Sequence, residues 1–68
     1  MEYWYEVFID EGEEIGTHTI EAFNTLEEAV VVYNKLKNLY PENKYGIDKW
    51  IGSDEGGEPV EDCTPKEE

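Results

Sequence analysis

Residues 3–9, YWYEVFI, decide the fold, because aromatic and β-branched residues fill almost every position and predict a β-strand. Successive side chains of a strand point to opposite faces, so a half-buried strand normally alternates apolar and polar residues. Here the odd-numbered positions already supply one apolar face. Trp4 and Phe8 make the second face apolar as well, and a function for the chain must account for this excess.

The segments that follow complete a hairpin. DEGEE at 10–14 contains the glycine of a turn, and IGTHTIEAF at 15–23 has the β-branched content of a return strand. We therefore predict two antiparallel strands joined by a loop of about five residues.

A helix is predicted next. Thr25 and Glu28 have the spacing of a capping box, in which the hydroxyl accepts a backbone hydrogen bond and the carboxylate reaches back to the cap. Pro41 ends the helix. Six apolar residues fall on one stripe at helical spacing, which indicates that one side of the helix packs on the sheet. They are Leu26, Ala29, Val30, Tyr33, Leu36 and Tyr40.

A third strand, YGIDKWI at 45–51, follows the turn at 42–44 and gives a ββαβ chain of the α+β class. The helix allows two strand orders. In the fully antiparallel order 2-1-3 strand one is central, whereas in the order 1-2-3 strand three lies parallel beside strand two. We expect a three-stranded sheet in the order 2-1-3 with the helix on one face, since the most apolar strand belongs in the centre.

The composition changes abruptly at Gly52. The stretch from Gly52 onward has seven acidic residues and Val60 as its single aliphatic residue, which is too little apolar surface to offset the entropy of ordering. The sequence therefore predicts one domain over residues 1–52 and a disordered, flexible acidic tail over residues 53–68.

The charge of the chain restricts its partners. Its 68 residues include 18 acidic residues against five lysines, a formal charge of −13. Nucleic acids and anionic membranes attract basic surfaces, so direct binding to either is not expected. The partner that this charge favours is a basic protein, although such a charge also serves solubility alone.

The cysteine count and the hydropathy bear on the compartment. One cysteine, Cys63, cannot form an internal disulfide, which indicates a reducing environment. No apolar run approaches the roughly 18 residues of a membrane helix, and the first residues lack the pattern of a secretion signal. We expect a cytoplasmic protein.

Residues that could carry chemistry are sparse. His18 is the only histidine and has no nucleophile in its pattern, and Cys63 lies among acidic residues, which raise the pKa of a thiol. The acidic runs at 10–14 and 54–58 lack the alternate ligand spacing and the closing glutamate of a calcium loop. We predict no enzyme, no cofactor and no metal, and no motif identifies a family.

One helix cannot cover both faces of the sheet, so the aromatic residues of the second face lie outside the helix-packed core. Strand parity places a candidate interaction surface there, with three aromatic side chains close together and three acidic side chains around them. These residues are Trp4, Phe8, Trp50, Glu6, Asp10 and Asp48. Contiguous apolar surface marks a contact site, unless the tail, strand two or the curvature of the sheet shields the rings.

Two functions fit these observations. The first is a small acidic protein-interaction module that binds either a foreign protein or a second copy of itself, as a homodimer, through the aromatic face. The alternative is a DNA-mimicking inhibitor of the phage or mobile-element type, which the composition resembles. Its carboxylates would occupy the basic groove of a nucleic-acid-binding protein. Mimicry needs carboxylates in rows on one ordered face, whereas a solubilising charge is scattered.

Overall fold

The computed structural model describes residues 2–53 and 56–66, and within them it contains four strands and one helix. In chain order these are β1 (Glu2–Asp10), β2 (Thr17–Phe23), α1 (Leu26–Leu39), β3 (Lys44–Ser53) and β4 (Gly56–Asp62). The protein is therefore α+β, with one helix packed on an antiparallel sheet, as the sequence predicts.

The four strands form one sheet in the order β2-β1-β3-β4, and every neighbouring pair is antiparallel. The central pair, β1 and β3, stays in register from Glu2 opposite Gly52 to Asp10 opposite Lys44. The predicted order 2-1-3 is present within this sheet. The prediction of three strands is wrong, because a fourth strand extends the sheet beyond β3.

This fourth strand lies where a flexible tail was expected over residues 53–68. β4 pairs with β3, and the Cys63 N–H extends the ladder to the Ile47 carbonyl oxygen at 2.8 Å. An edge strand needs only one neighbour for its hydrogen bonds, so it can form without an apolar pattern of its own. The flexible tail is not confirmed, and residues 54, 55, 67 and 68 lie outside the described part of the chain. The domain boundary predicted after residue 52 falls within β3.

The loop between β1 and β2 is longer than predicted. Gly12 and Gly16 both have positive φ, 98° and 86°, a conformation that glycine adopts without steric cost. Gly16 closes the loop by donating its N–H to the Gly12 carbonyl oxygen at 2.7 Å and accepting the Glu11 N–H at 2.9 Å. β2 therefore begins at Thr17, and Ile15, which was expected in the strand, is an exposed loop residue.

α1 begins at the predicted cap. Thr25 has extended backbone angles, and its hydroxyl oxygen accepts the Glu28 N–H at 3.3 Å. The hydroxyl also donates to the Glu28 carboxylate at 3.0 Å. At the other end, Tyr40 donates its N–H to the Leu36 carbonyl oxygen at 2.8 Å, directly before Pro41. Both ends of the helix are thus set by residues that the sequence identifies.

The core lies between α1 and the two central strands. Val7 of β1, Ile47 of β3 and Ala29 of α1 are fully buried, and Tyr33 of α1 is 4% exposed. Half-buried residues pack around these four, namely Tyr5, Phe23, Val30, Leu36, Tyr45 and Cys63. The middle of the predicted helix stripe therefore packs as expected, and its two ends are exposed.

α1 packs against β1, β2 and β3, and it does so from one side of the sheet. The opposite side has no helix over it in the described part of the chain. No helix among the described residues has the length and apolar content that crossing a membrane requires.

Candidate interaction surface on the open face of the sheet

The open face is the side of the sheet opposite α1. On β1 and β3 it carries the even-numbered residues, because the odd-numbered Val7 and Ile47 face the helix. Cross-strand partners extend it to β2 and β4. The six residues of the predicted interaction surface all have the parity of this face.

The Phe8 ring reaches across to β3 on the open face. Its ring covers Gly46, its cross-strand partner, so closely that a β-carbon at position 46 would come within 2.9 Å of a ring carbon. Gly46 is buried although no helix covers it. An aromatic ring that rests on a strand glycine shields backbone that would otherwise meet solvent.

The Trp4 ring reaches in the same way over two strands. A β-carbon at Gly52 of β3 or at Gly57 of β4 would come within 2.7 Å of a carbon of its ring. Trp50, directly opposite Trp4, stacks with it, with ring centroids 6.4 Å apart and ring planes 19° from parallel. These two half-buried rings are called the indole pair below.

Three carboxylates cross the sheet in a row between the indole pair and Phe8. Glu6 of β1 lies opposite Asp48 of β3, which in turn lies opposite Asp62 of β4. Directly opposed residues have Cβ atoms about 5 Å apart, so the three negative charges are neighbours. They are called the carboxylate row below.

The two outer members of the carboxylate row are held by hydrogen bonds. One oxygen of Glu6 accepts the Trp4 indole N–H at 2.7 Å, and the other accepts the Thr19 hydroxyl at 2.6 Å. One oxygen of Asp62 accepts the Thr64 N–H at 2.9 Å. Hydrogen bonding to the side chain and backbone of Thr64 lowers the pKa of Asp62, so this carboxylate is stabilised in its charged form.

Asp48, the central member, lacks such support. No hydrogen-bond donor among the described residues contacts its carboxylate. Burial raises the pKa of Asp48, and repulsion from Asp62 and Glu6 raises it further. A partly buried carboxylate with like charges on both sides is destabilising while it stays ionised. A positive group supplied from outside would remove that penalty.

The arrangement differs in one respect from the expected one. The indole pair forms, but the carboxylate row separates it from Phe8, because every second residue along a strand shares the face. Most of the acidic side chains therefore lie between the rings and not around them. Asp10 lies at the loop end of β1, where it accepts the Gly12 N–H at 3.0 Å.

Sequence reasoning missed Asp62 and the glycines beneath the rings. Asp62 was assigned to the tail, and its face depends on an irregularity in pairing between Lys49 and Trp50 that no sequence pattern shows. Gly46 did carry a usable signal, since a glycine inside a strand often marks the close approach of another group.

His18 and Cys63, the other two residues that could carry chemistry, lie away from the open face. His18 Nε2 is 3.5 Å from a Glu11 carboxylate oxygen on the exposed hairpin. Cys63 is half-buried against the core. Burial, more than the neighbouring Glu61 carboxylate, raises the pKa of its thiol, which keeps this cysteine in its less reactive form.

Two further findings concern metal binding and similarity to known proteins. Among the described residues, no group of three or more His, Cys, Asp or Glu side chains is placed to hold a metal ion. Comparison of the chain with protein-family models, with curated proteins and with solved structures gave no match. Function is therefore inferred from the open face itself.

Proposed function

We propose that the protein is a small interaction module and not an enzyme, and that its open face binds a basic segment of another protein. The observation that carries this proposal is the Asp48 carboxylate, which lies between two like charges and between two aromatic surfaces on the uncovered side of the sheet. We place the protein in the cytoplasm, where a free cysteine such as Cys63 stays reduced.

Each part of the open face favours a cation. The carboxylate row offers charge-assisted hydrogen bonds, which are about twice as strong as bonds between neutral groups. A cation over the face of an aromatic ring gains about 0.5–2 kcal/mol, depending on how far it is desolvated. Lys49 does not supply this cation, because its Nζ lies on the other side of the sheet, 4.6 Å from the centre of the Tyr3 ring.

A second copy of the chain is a poorer occupant of this face at neutral pH. Two open faces packed together would bring two carboxylate rows into contact, and each pair of like charges about 5 Å apart costs about 3 kcal/mol at an effective dielectric constant of about 20. The formal charge of −13 adds repulsion between the copies. A basic partner, in contrast, is attracted both by the carboxylate row and by the net negative charge of the chain.

One observation favours the alternative function, a DNA-mimicking inhibitor. The carboxylate row lies on adjacent strands of one ordered face, which is the arrangement that mimicry needs. The row is only three residues long, and aromatic rings flank it on both sides, whereas the phosphates of DNA continue in both directions. We therefore rank mimicry second.

The proposal is tested by retention of proteins from a lysate of the source organism on the immobilised chain. The face variant carries Asp48→Asn and Trp50→Thr, which removes one charge and one ring while keeping strand propensity at position 50. The control variant carries Glu13→Gln and Tyr3→Thr, which makes similar changes at exposed positions away from the open face. Circular dichroism establishes that both variants fold.

We expect the partner to be retained by the wild type and the control variant but not by the face variant, and to elute as the salt concentration rises. Retention of the same proteins by both variants would show that the open face is not the binding surface. Displacement of the purified partner by duplex DNA would identify it as a nucleic-acid-binding protein and support mimicry instead.

A further inference from the structure

We infer that the open face recognises the guanidinium group of an arginine in preference to the ammonium group of a lysine. This inference rests on the proposed function and names the chemistry that the same surface selects. Three features carry it, namely an Asp48 carboxylate that no donor of the described residues contacts, the lack of a cation beside it among those residues, and an aromatic ring on either side.

Asp48 is the member of the carboxylate row whose two oxygens are both available. Glu6 uses both of its oxygens on donors of the chain, and Asp62 is hydrogen-bonded to Thr64. Within residues 2–53 and 56–66 no donor contacts Asp48. A carboxylate with two free oxygens can accept two parallel N–H bonds from a planar guanidinium, a geometry that an ammonium group cannot match.

The described chain supplies no cation of its own to Asp48. Lys49, its neighbour in sequence, packs over the Tyr3 ring on the opposite side of the sheet. Lys44 has the parity of the open face, but it lies four residues along β3 and opposite Asp10. The negative charge at the centre of the open face is therefore left for an external group to neutralise.

Aromatic rings flank Asp48 along β3. Trp50 lies two residues away on one side, and on the other side the Phe8 ring covers Gly46. Positions two residues apart in a strand are separated by about 7 Å, so a planar group bound to Asp48 can lie against either ring. A guanidinium stacks on aromatic faces and is weakly hydrated, whereas an ammonium is a strongly hydrated point charge. The combination of ring and free carboxylate thus selects arginine.

The test compares N-acetyl-arginine amide with N-acetyl-lysine amide, two probes of equal charge. Binding to the full chain is followed by NMR through the β3 amides and the indole N–H signals of Trp4 and Trp50. We expect the arginine probe to shift the Asp48 and Trp50 signals and to bind about tenfold more tightly than the lysine probe, as one additional hydrogen bond to a charged group would give.

Two variants assign the preference to Asp48. Asp48→Asn removes the charge with little change in size, and we expect it to reduce arginine binding to the level of lysine. Glu13→Gln, the matched loss of a carboxylate in the exposed hairpin loop, should leave the preference unchanged. If the NMR spectrum shows that Asp48→Asn disturbs the fold, Asp48→Glu provides the second measurement. This variant keeps a carboxylate at position 48, so it should keep the preference for arginine over lysine.

Equal affinity of the two probes would overturn the preference for arginine and would leave a general basic partner in place. Shifts confined to the loop between β1 and β2, with Trp50 unmoved, would likewise overturn this inference. Failure of the proposed function is a separate result, because it appears as identical retention of lysate proteins by the face and control variants.

Discussion

The two faces of the sheet are shielded by different means. On the helix-covered face, α1 buries Val7 and Ile47 completely. On the open face, the rings of Phe8 and Trp4 lie against glycines of neighbouring strands. The first arrangement excludes water with a second layer of structure, and the second excludes it with single side chains.

This difference explains why the first strand is apolar on both faces. A chain of 68 residues can bury only about 60% of its unfolded surface, and the one helix in its described part covers one side. Rings that cover glycines protect the backbone of the other side while they keep part of their own surface exposed. The same side chains therefore stabilise the sheet and form a candidate binding surface.

The largest expected effect on the free energy of unfolding comes from removing β4. This strand is not covered by α1 and is partly covered by the Trp4 ring. A chain that ends at Ser53 loses the backbone partners of β3 and the contact of Cys63 with the core. At about 1 kcal/mol per lost hydrogen bond, we expect a loss of about 3 kcal/mol or more. That equals most of the stability of a domain this small, so circular dichroism should show a largely unfolded chain.

The matched control for this truncation ends at Lys66 and keeps all of β4. We expect it to unfold at the same urea concentration as the full chain. A chain ending at Ser53 that keeps the full urea midpoint would show that residues 1–53 fold by themselves, as the predicted domain boundary implies.

A smaller effect should come from adding one carbon beneath a ring of the open face. Gly46→Ala forces the Phe8 ring off its position, and overpacking of this kind costs about 1–3 kcal/mol. In a Phe8→Thr background the space is free, and alanine is favoured over glycine in a strand by about 0.5–1 kcal/mol. The substitution should therefore change from destabilising to neutral or stabilising. Urea unfolding of the four chains measures this coupling, and equal costs in both backgrounds would show that the ring does not rest on Gly46.

The smallest effect concerns the carboxylate row. Because the pKa of Asp48 is raised in the folded protein, its ionised form opposes folding, and stability rises as the pH falls through that raised pKa. Asp48→Asn should stabilise the fold at pH 7 by about 0.5 kcal/mol, a modest amount because solvent screens the charges. This gain should disappear in acid, as Asp48 of the wild type protonates.

Asp62→Ala should change the stability at neutral pH in the opposite direction to Asp48→Asn. The pKa of Asp62 is lowered in the folded protein by its hydrogen bonds with Thr64, so its ionised form favours folding above its ordinary pKa. The variant should be less stable at neutral pH, and the difference should vanish as the pH falls through the lowered pKa. Urea midpoints of the wild type and the two variants, measured from neutral to acidic pH, give the stability of each chain as a function of pH. Parallel curves for the two variants would contradict the opposite effects predicted for Asp48 and Asp62.

The sequence predicts the covered face better than the open one. The helix that covers this face is predicted by residue types with strong local preferences, such as the Thr25 cap and the apolar stripe of α1. Strand parity also assigns Trp4, Phe8 and Trp50 to the uncovered side, because parity follows from backbone geometry alone. Which residues their rings cover depends on which residues lie opposite, and only the register determines that.

β4 was missed for a physical reason. An edge strand that is exposed along its length needs neither apolar alternation nor β-branched residues, since its backbone pairs on one side and its side chains meet solvent. GGEPVED therefore has the composition of a flexible segment. The start of β2 was misplaced for a related reason, because the positive φ of Gly16 ends the loop two residues later than its composition indicates.

The indole pair also makes the two faces optically distinct. Both tryptophans of the chain belong to the open face, while Tyr33, Tyr5 and Tyr45 contribute to the core beneath α1. Indole fluorescence therefore reports on one side of the sheet, and tyrosine absorbance reports largely on the other. Unfolding followed by both signals reveals whether the open face and the helix-covered core unfold together or in sequence. A cooperative transition requires the two signals to coincide.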